Sequence, residues 1–169
     1  MKIYRITKYN PKLRDKMGRY LIDDWTSMSD IGKTFSGKEL TLKKYLEVER
    51  QYLDVIEMLL NDNNVVQVKI TNLEKYKGFE CLSAKEKEII DNIWVDKCVG
   101  VNEITLICKL ILREFIWAEF EWINTKMMLK FGYDYYMYFV CDEIRKELID
   151  KICSCGLFVE DIGRDTVDA

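Results

Sequence analysis

The chain predicts an α+β fold: a largely antiparallel sheet that includes a C-terminal meander, with about four helices. Three observations predict it. Residues 115–140 alternate apolar and polar positions around two turn signals. Apolar residues recur at helical spacing behind capping residues elsewhere in the chain. Finally, the strand-like and helix-like segments do not alternate strictly, as a parallel βαβ sheet requires.

Ile3 to Tyr9 reads as a strand, ended by Asn10-Pro11. Residues 11–40 are polar, carry Gly18, Gly32 and Gly37, and form a long irregular segment. Such segments are often functional or pinned by their own side chains; Leu21, Ile22, Trp25 and Phe35 are the expected pins. Thr41 caps a long helix with Leu42, Tyr45, Leu46, Tyr52, Leu53, Ile56, Leu59 and Leu60 inward, stopped by Asn61-Asp62-Asn63-Asn64. Val65 to Ile70 is a short strand. Ser83 and Glu86 form a capping box, followed by Ile89, Ile90, Ile93 and Trp94 as a buried stripe. Gly100 ends that region, and a third helix runs from about Glu103 to Arg113.

Strands are expected near 115–123, 126–131 and 135–140. A two-residue turn at Asn124-Thr125 pairs Glu121 with Met128, Glu119 with Lys130, Phe120 with Leu129 and Trp122 with Met127. The face holding Ala118, Phe120, Trp122, Leu129 and Phe131 is wholly apolar and is the expected core face. A three-residue loop, Gly132-Tyr133-Asp134, extends it with Tyr135, Met137 and Phe139. Asp142 then caps a fourth helix with Ile144, Leu148, Ile149 and Ile152 inward and Gly156 after its end. Leu157 to Glu160 is a last short strand, and 161–169 a polar tail. One domain is expected over residues 1–169.

Composition excludes much chemistry. The 169 residues contain no histidine, which removes Ser-His and Cys-His dyads, histidine-ligated metals and imidazole acid–base steps. The net charge is −3, against the basic balance of a nucleic-acid binder. Charge is also uneven: residues 1–44 carry eleven basic and five acidic side chains, whereas the remainder is net −9. The start has no apolar segment of export-signal length, and charges interrupt every long apolar stretch. The chain therefore reads as cytoplasmic, without a membrane partner and with six reduced thiols. Cys153-Ser154-Cys155 lacks a second ligand pair, so no metal and no cofactor are expected.

Gly32-Lys33-Thr34 resembles the end of a phosphate-binding loop, but Ser27 stands where that loop needs its first glycine. Asp23-Asp24 and Glu119/Glu121 are the paired carboxylates that a small hydrolase or metal-dependent enzyme would use. The plainer account of Glu119 is a cross-strand salt pair with Lys130. No catalytic residue is assigned. The aromatic residues say more. Opposite the core face lie Trp117, Glu119, Glu121, Met128, Lys130, Tyr136 and Tyr138. Of these, Trp117, Glu119, Glu121, Met128, Tyr136 and Tyr138 are the partner-binding candidates, because tyrosine and tryptophan anchor protein interfaces. The sequence leaves open whether a helix covers that face, and it is silent on oligomeric state.

Several stretches carry a resemblance: Tyr4-Arg5-Ile6-Thr7-Lys8-Tyr9-Asn10-Pro11, Asp24-Trp25-Thr26-Ser27, Ser29-Asp30-Ile31-Gly32-Lys33, Leu112-Arg113-Glu114, and Phe131-Gly132-Tyr133-Asp134-Tyr135-Tyr136-Met137-Tyr138. Together they resemble a group of small bacterial proteins that look like immunity proteins of polymorphic or contact-dependent toxin systems. The resemblance covers most of the chain and implies a cytoplasmic protein that binds and blocks one cognate toxin domain, often a nuclease. It carries no catalytic residues. The alternatives are the carboxylate-dependent enzyme above and a regulatory protein-interaction module.

Overall fold

A computed structural model describes residues 1–76 and 78–164. In chain order its elements are β1 (Lys2–Thr7), β2 (Thr34–Phe35), β3 (Lys38–Glu39), α1 (Leu42–Asp62), β4 (Gln67–Lys75), α2 (Ala84–Asp91), β5 (Cys98–Gly100), α3 (Val101–Leu112), β6 (Ile116–Trp122), β7 (Met128–Phe131), β8 (Met137–Cys141), α4 (Lys146–Ser154) and β9 (Phe158–Arg164). Seven strands form one sheet in the order β5-β4-β6-β7-β8-β1-β9, every pairing antiparallel. The fold is therefore α+β, and β6-β7-β8 is the C-terminal meander expected from its apolar alternation.

The register of the first hairpin is the expected one: Phe120 pairs with Leu129 and Glu121 with Met128. The second loop is longer than expected. Phe131 pairs with Met137, so residues 132–136 form a five-residue connection rather than three. The shift along the partner strand is two residues, and a shift of two returns every side chain to its face. Met137 and Phe139 therefore still join Ala118, Phe120, Trp122 and Leu129 in the core.

The buried sides of α1, α3 and α4 pack into that same core. Along α1 the stripe is Tyr45, Val48, Glu49, Tyr52, Val55, Ile56, Leu59 and Leu60, whereas Leu42 and Leu46 are exposed. Those two leucines lie at the outer edge of the helix, while Tyr45, Val48 and Glu49 of the same turns face the core. The capping box of α2 is present, Ser83 and Glu86 satisfying each other's backbone N–H groups. Trp94 is exposed, because α2 ends at Asp91 and only Ile93 of the following turn reaches the core.

Other elements depart from expectation for tertiary reasons. β4 runs on to Lys75 because β6 supplies a full-length partner, with an irregularity between Ile70 and Asn72. Cys98–Gly100 becomes an edge strand against β4. α4 begins at Lys146 rather than after Asp142. Ile144 is buried ahead of it, and Arg145 pairs with Asp62 at the end of α1, so packing sets the helix start. β9 extends through the first part of the expected polar tail, to Arg164, because β1 offers it a free edge; residues 165–169 lie outside the described residues. In the irregular segment Trp25 is the buried pin, with Leu40, while Leu21 and Ile22 are exposed. Lys33, in the apparent phosphate loop, pairs with Asp30 at 2.8 Å beside the small β2–β3 hairpin. All six cysteines are free thiols. Among the described residues no helix is long and apolar enough to cross a membrane.

Candidate functional site

Along β6 buried and half-exposed residues alternate strictly, from Ile116 to Trp122. A helix over the second face would bury both sets; here the second set stays half-exposed, so that face is open along β6 and β7. The pairing brings the candidate residues together on it. Glu121 lies beside Met128 and opposite Lys69, whose ammonium group pairs with it at 3.4 Å. Glu119 lies opposite Asn72. Glu121, rather than Glu119, is thus the carboxylate in the cross-strand ion pair. Tyr138 sits between Lys130 and Arg5 in register and stacks on Tyr136, with ring centroids 6.5 Å apart. Gly132 makes room for this: a Cβ there would come within 2.9 Å of the Tyr138 ring.

Tyr136 is more engaged than its neighbours. Arg14 donates to its hydroxyl at 3.0 Å, and the guanidinium groups of Arg5 and Arg14 lie over its ring. Tyr9 packs against it at 5.4 Å. The irregular N-terminal segment therefore covers this corner of the face. Both arginines also converge on Glu160, Arg5 through two hydrogen bonds of 2.8 and 2.9 Å and Arg14 at 3.5 Å.

Beside this corner the face opens into a cleft of about 470 Å³. Trp117 and Tyr136 line both the face and the cleft. The Trp117 indole N–H donates to the Phe131 carbonyl at 2.7 Å, which fixes the ring as a wall. Tyr76 and Tyr133 add further aromatic surface, and Glu74, Glu114 and Asp134 supply carboxylates. Glu74 accepts from the Tyr76 hydroxyl at 3.3 Å, and Glu114 from the Ser27 hydroxyl at 2.9 Å. Lysine and arginine are missing from the lining among the described residues.

The backbone around this cleft is held in an uncommon conformation. Glu114, Asp134 and Tyr135 all have positive φ, at 61°, 58° and 63°, a region that side-chain-bearing residues populate sparsely. Glu114 ends α3 in a Schellman motif: its N–H reaches the Ile111 carbonyl at 2.9 Å, and the next N–H, of Phe115, reaches Leu110 at 3.0 Å. Glycine ordinarily holds that position. Asp134 and Tyr135 are the two central residues of a turn closed by Tyr136 N–H to Tyr133 O at 3.1 Å, with both φ positive as in a type I′ turn.

Tertiary contacts hold Tyr135 there. Its carbonyl accepts from the Tyr52 hydroxyl at 2.6 Å, and its own hydroxyl lies 2.8 Å from the Leu112 carbonyl and 3.0 Å from the Tyr45 hydroxyl. Trp25 meets its ring edge-on at 4.9 Å. Burial is the main force raising the phenol pKa of Tyr45, Tyr52 and Tyr135 above the ordinary range. The network runs on from Tyr45 to Glu49, which is 5% exposed and gripped by Arg113 through hydrogen bonds of 2.6 and 2.8 Å.

Sequence reasoning placed Trp117 and Tyr136 on this surface but missed the cleft, with Glu74, Tyr76 and Glu114. The available signal was a tyrosine-rich loop between two strands. The chain was compared with protein-family models, curated proteins and solved structures, and none of them matches it.

Proposed function

We propose that this protein binds another protein and neutralises it, as an immunity protein against a cognate bacterial toxin domain, in the cytoplasm and without catalysis of its own. The observation that carries the reading is the open second face of the sheet. Trp117, Glu119, Glu121, Met128 and Tyr138 lie there half-exposed, with helices gathered on the other side. Aromatic anchors surrounded by polar groups are the usual composition of a protein-binding surface. The excess acidity of residues 45–169 favours encounter with a basic partner such as a nuclease. The resemblance in the Tyr4–Pro11 and Phe131–Tyr138 stretches supports the same reading.

The test is calorimetric titration against the toxin domain encoded by the neighbouring gene, with melting curves of each variant. Trp117→Ala and Tyr138→Ala are expected to weaken the complex by about 2 kcal/mol, roughly 30-fold. Glu119→Lys is expected to slow association, the difference from wild type shrinking as salt is added. Tyr136→Ala is expected to lower stability as well as affinity, because Arg14 and Arg5 pack on that ring. Unchanged affinity in all of these variants removes this face from consideration. Failure of the neighbouring domain to form a complex removes the immunity assignment.

A further inference from the structure

We propose that the cleft between Trp117, Tyr76 and Tyr133 receives an arginine side chain of the bound protein. This rests on the reading above that the adjoining face docks a protein. It adds which chemical group of the partner enters and where.

Among the described lining residues the charged side chains share one sign. Glu74 comes from β4, Glu114 from the end of α3 and Asp134 from the loop after β7, so three separate elements bring acidic residues to the lining of one space. Ile111 and Leu112 line the same space, which places the C-terminal end of α3 beside it, and a helix C-terminus attracts cations. The aromatic walls attract cations through their ring faces. No lysine or arginine balances them among the described lining residues. Small hydroxyl donors occupy part of Glu74 and Glu114, and a carboxylate has lone pairs for further donors.

A guanidinium suits this site better than an ammonium. It is planar, stacks on aromatic rings, and presents several donors that can reach carboxylates on different sides. The volume of about 470 Å³ falls within the range of pockets that bind small ligands. Glu114 and Asp134 also hold acidic side chains at left-handed positions where glycine fits more easily. The fold thus keeps a carboxylate at Glu114, where local backbone preference disfavours one, and at Asp134, where a type I′ turn accepts aspartate.

The test follows the Trp117 indole N–H in nitrogen-15-labelled protein while N-acetyl-arginine amide is added. The citrulline analogue, of the same shape but neutral, is titrated in parallel. A saturable shift with the arginine compound, at least about fivefold weaker with citrulline, is expected. Asp134→Asn tolerates the same backbone and is expected to weaken binding about fivefold; Glu74→Gln acts in the same direction. Tyr133 is 91% exposed, so Tyr133→Ala removes a wall without touching the core, and a loss of binding is expected there too. No saturable shift up to the solubility limit, or equal binding of citrulline, overturns the proposal. Toxin-domain binding is measured separately. A complex that forms while the arginine compound fails rejects the arginine site and leaves the protein-binding reading standing. Arginine binding by a protein that forms no toxin complex rejects the immunity reading alone.

Discussion

The hydroxyl of Tyr52, in the middle of α1, donates a 2.6 Å hydrogen bond to the carbonyl of Tyr135, 83 residues away in the loop between β7 and β8. The same hydroxyl accepts from the Lys8 backbone N–H at 2.9 Å. One buried oxygen thus ties the helix layer to the end of the first strand and to the turn that shapes the cleft. Without it, a tyrosine in left-handed conformation has one fewer reason to stay there.

Tyr52→Phe keeps the ring and removes that oxygen. It leaves a buried carbonyl and a partly buried N–H without this partner, at an expected cost of about 2 kcal/mol. For a chain of this size the melting temperature falls by roughly 5 °C. Urea unfolding and calorimetry check the figure. A variant as stable as wild type shows that water or backbone shifts replace the bond.

Glu49 and Arg113 form a pair whose carboxylate is almost wholly buried. Arg113→Met leaves that charge unpaired, and a loss of about 4 kcal/mol is expected. The double variant Glu49→Leu with Arg113→Met removes both charges and is expected to recover most of it. Denaturant titration of the two single variants and the double variant completes the cycle. A double variant no better than Arg113→Met contradicts this account.

Replacing Glu114 by glycine relieves the positive φ at the end of α3. Glu114→Gly is expected to raise stability by about 1 kcal/mol, in spite of losing the exposed Ser27 hydrogen bond. Glu114→Ala, which keeps a Cβ, is expected to give no such gain. Urea midpoints of the two variants separate backbone relief from the loss of the carboxylate.

Alkaline pH acts on the tyrosine network. Burial raises the folded pKa of Tyr9, Tyr45, Tyr52 and Tyr135 above the unfolded value near 10. Above about pH 10 the unfolded chain therefore releases phenolic protons that the native state keeps, so their stabilising contribution is whole below that pH and lost as it rises. Lys8 acts in the opposite sense. Burial pushes it down to about 8 in spite of its Asp24 partner, so the native state releases this proton first and stability rises between about pH 8 and 10. The expected profile gains over that interval and falls beyond it, and Lys8→Met removes the gain. Denaturant midpoints at stepped pH, with phenolate absorbance followed alongside, test both arms.

Local chemistry made several elements readable from sequence. Thr41 before a run of apolar residues marks the start of α1, and the reciprocal Ser83–Glu86 pair marks α2, because both satisfy orphan N–H groups within one turn of chain. The β6–β7 register was readable because the two-residue turn at Asn124-Thr125 selects a pairing that also puts Ala118, Phe120, Trp122 and Leu129 on the same side. The candidate face followed from the same alternation.

Contacts across long separations were not readable. Whether a helix covers the second face depends on where the helices pack, which periodicity along a strand does not encode. Leu42 and Leu46 fit the helical stripe, yet they are exposed because the packing turns Tyr45, Val48 and Glu49 of the same turns to the core and leaves these two at its outer edge. Asp142 has capping chemistry, but the burial of Ile144 and the Arg145–Asp62 pair delay the helix to Lys146. Glu49 is neutralised inside the protein by Arg113, 64 residues on, a pairing that no local pattern encodes. The sequence by itself determined the fold class, the meander and its two faces, because alternation and capping are properties of neighbouring residues. Only the tertiary structure decided the cleft, since Glu74, Glu114, Trp117 and Asp134 meet there through β4–β6 pairing, the end of α3 and a turn held by Tyr52.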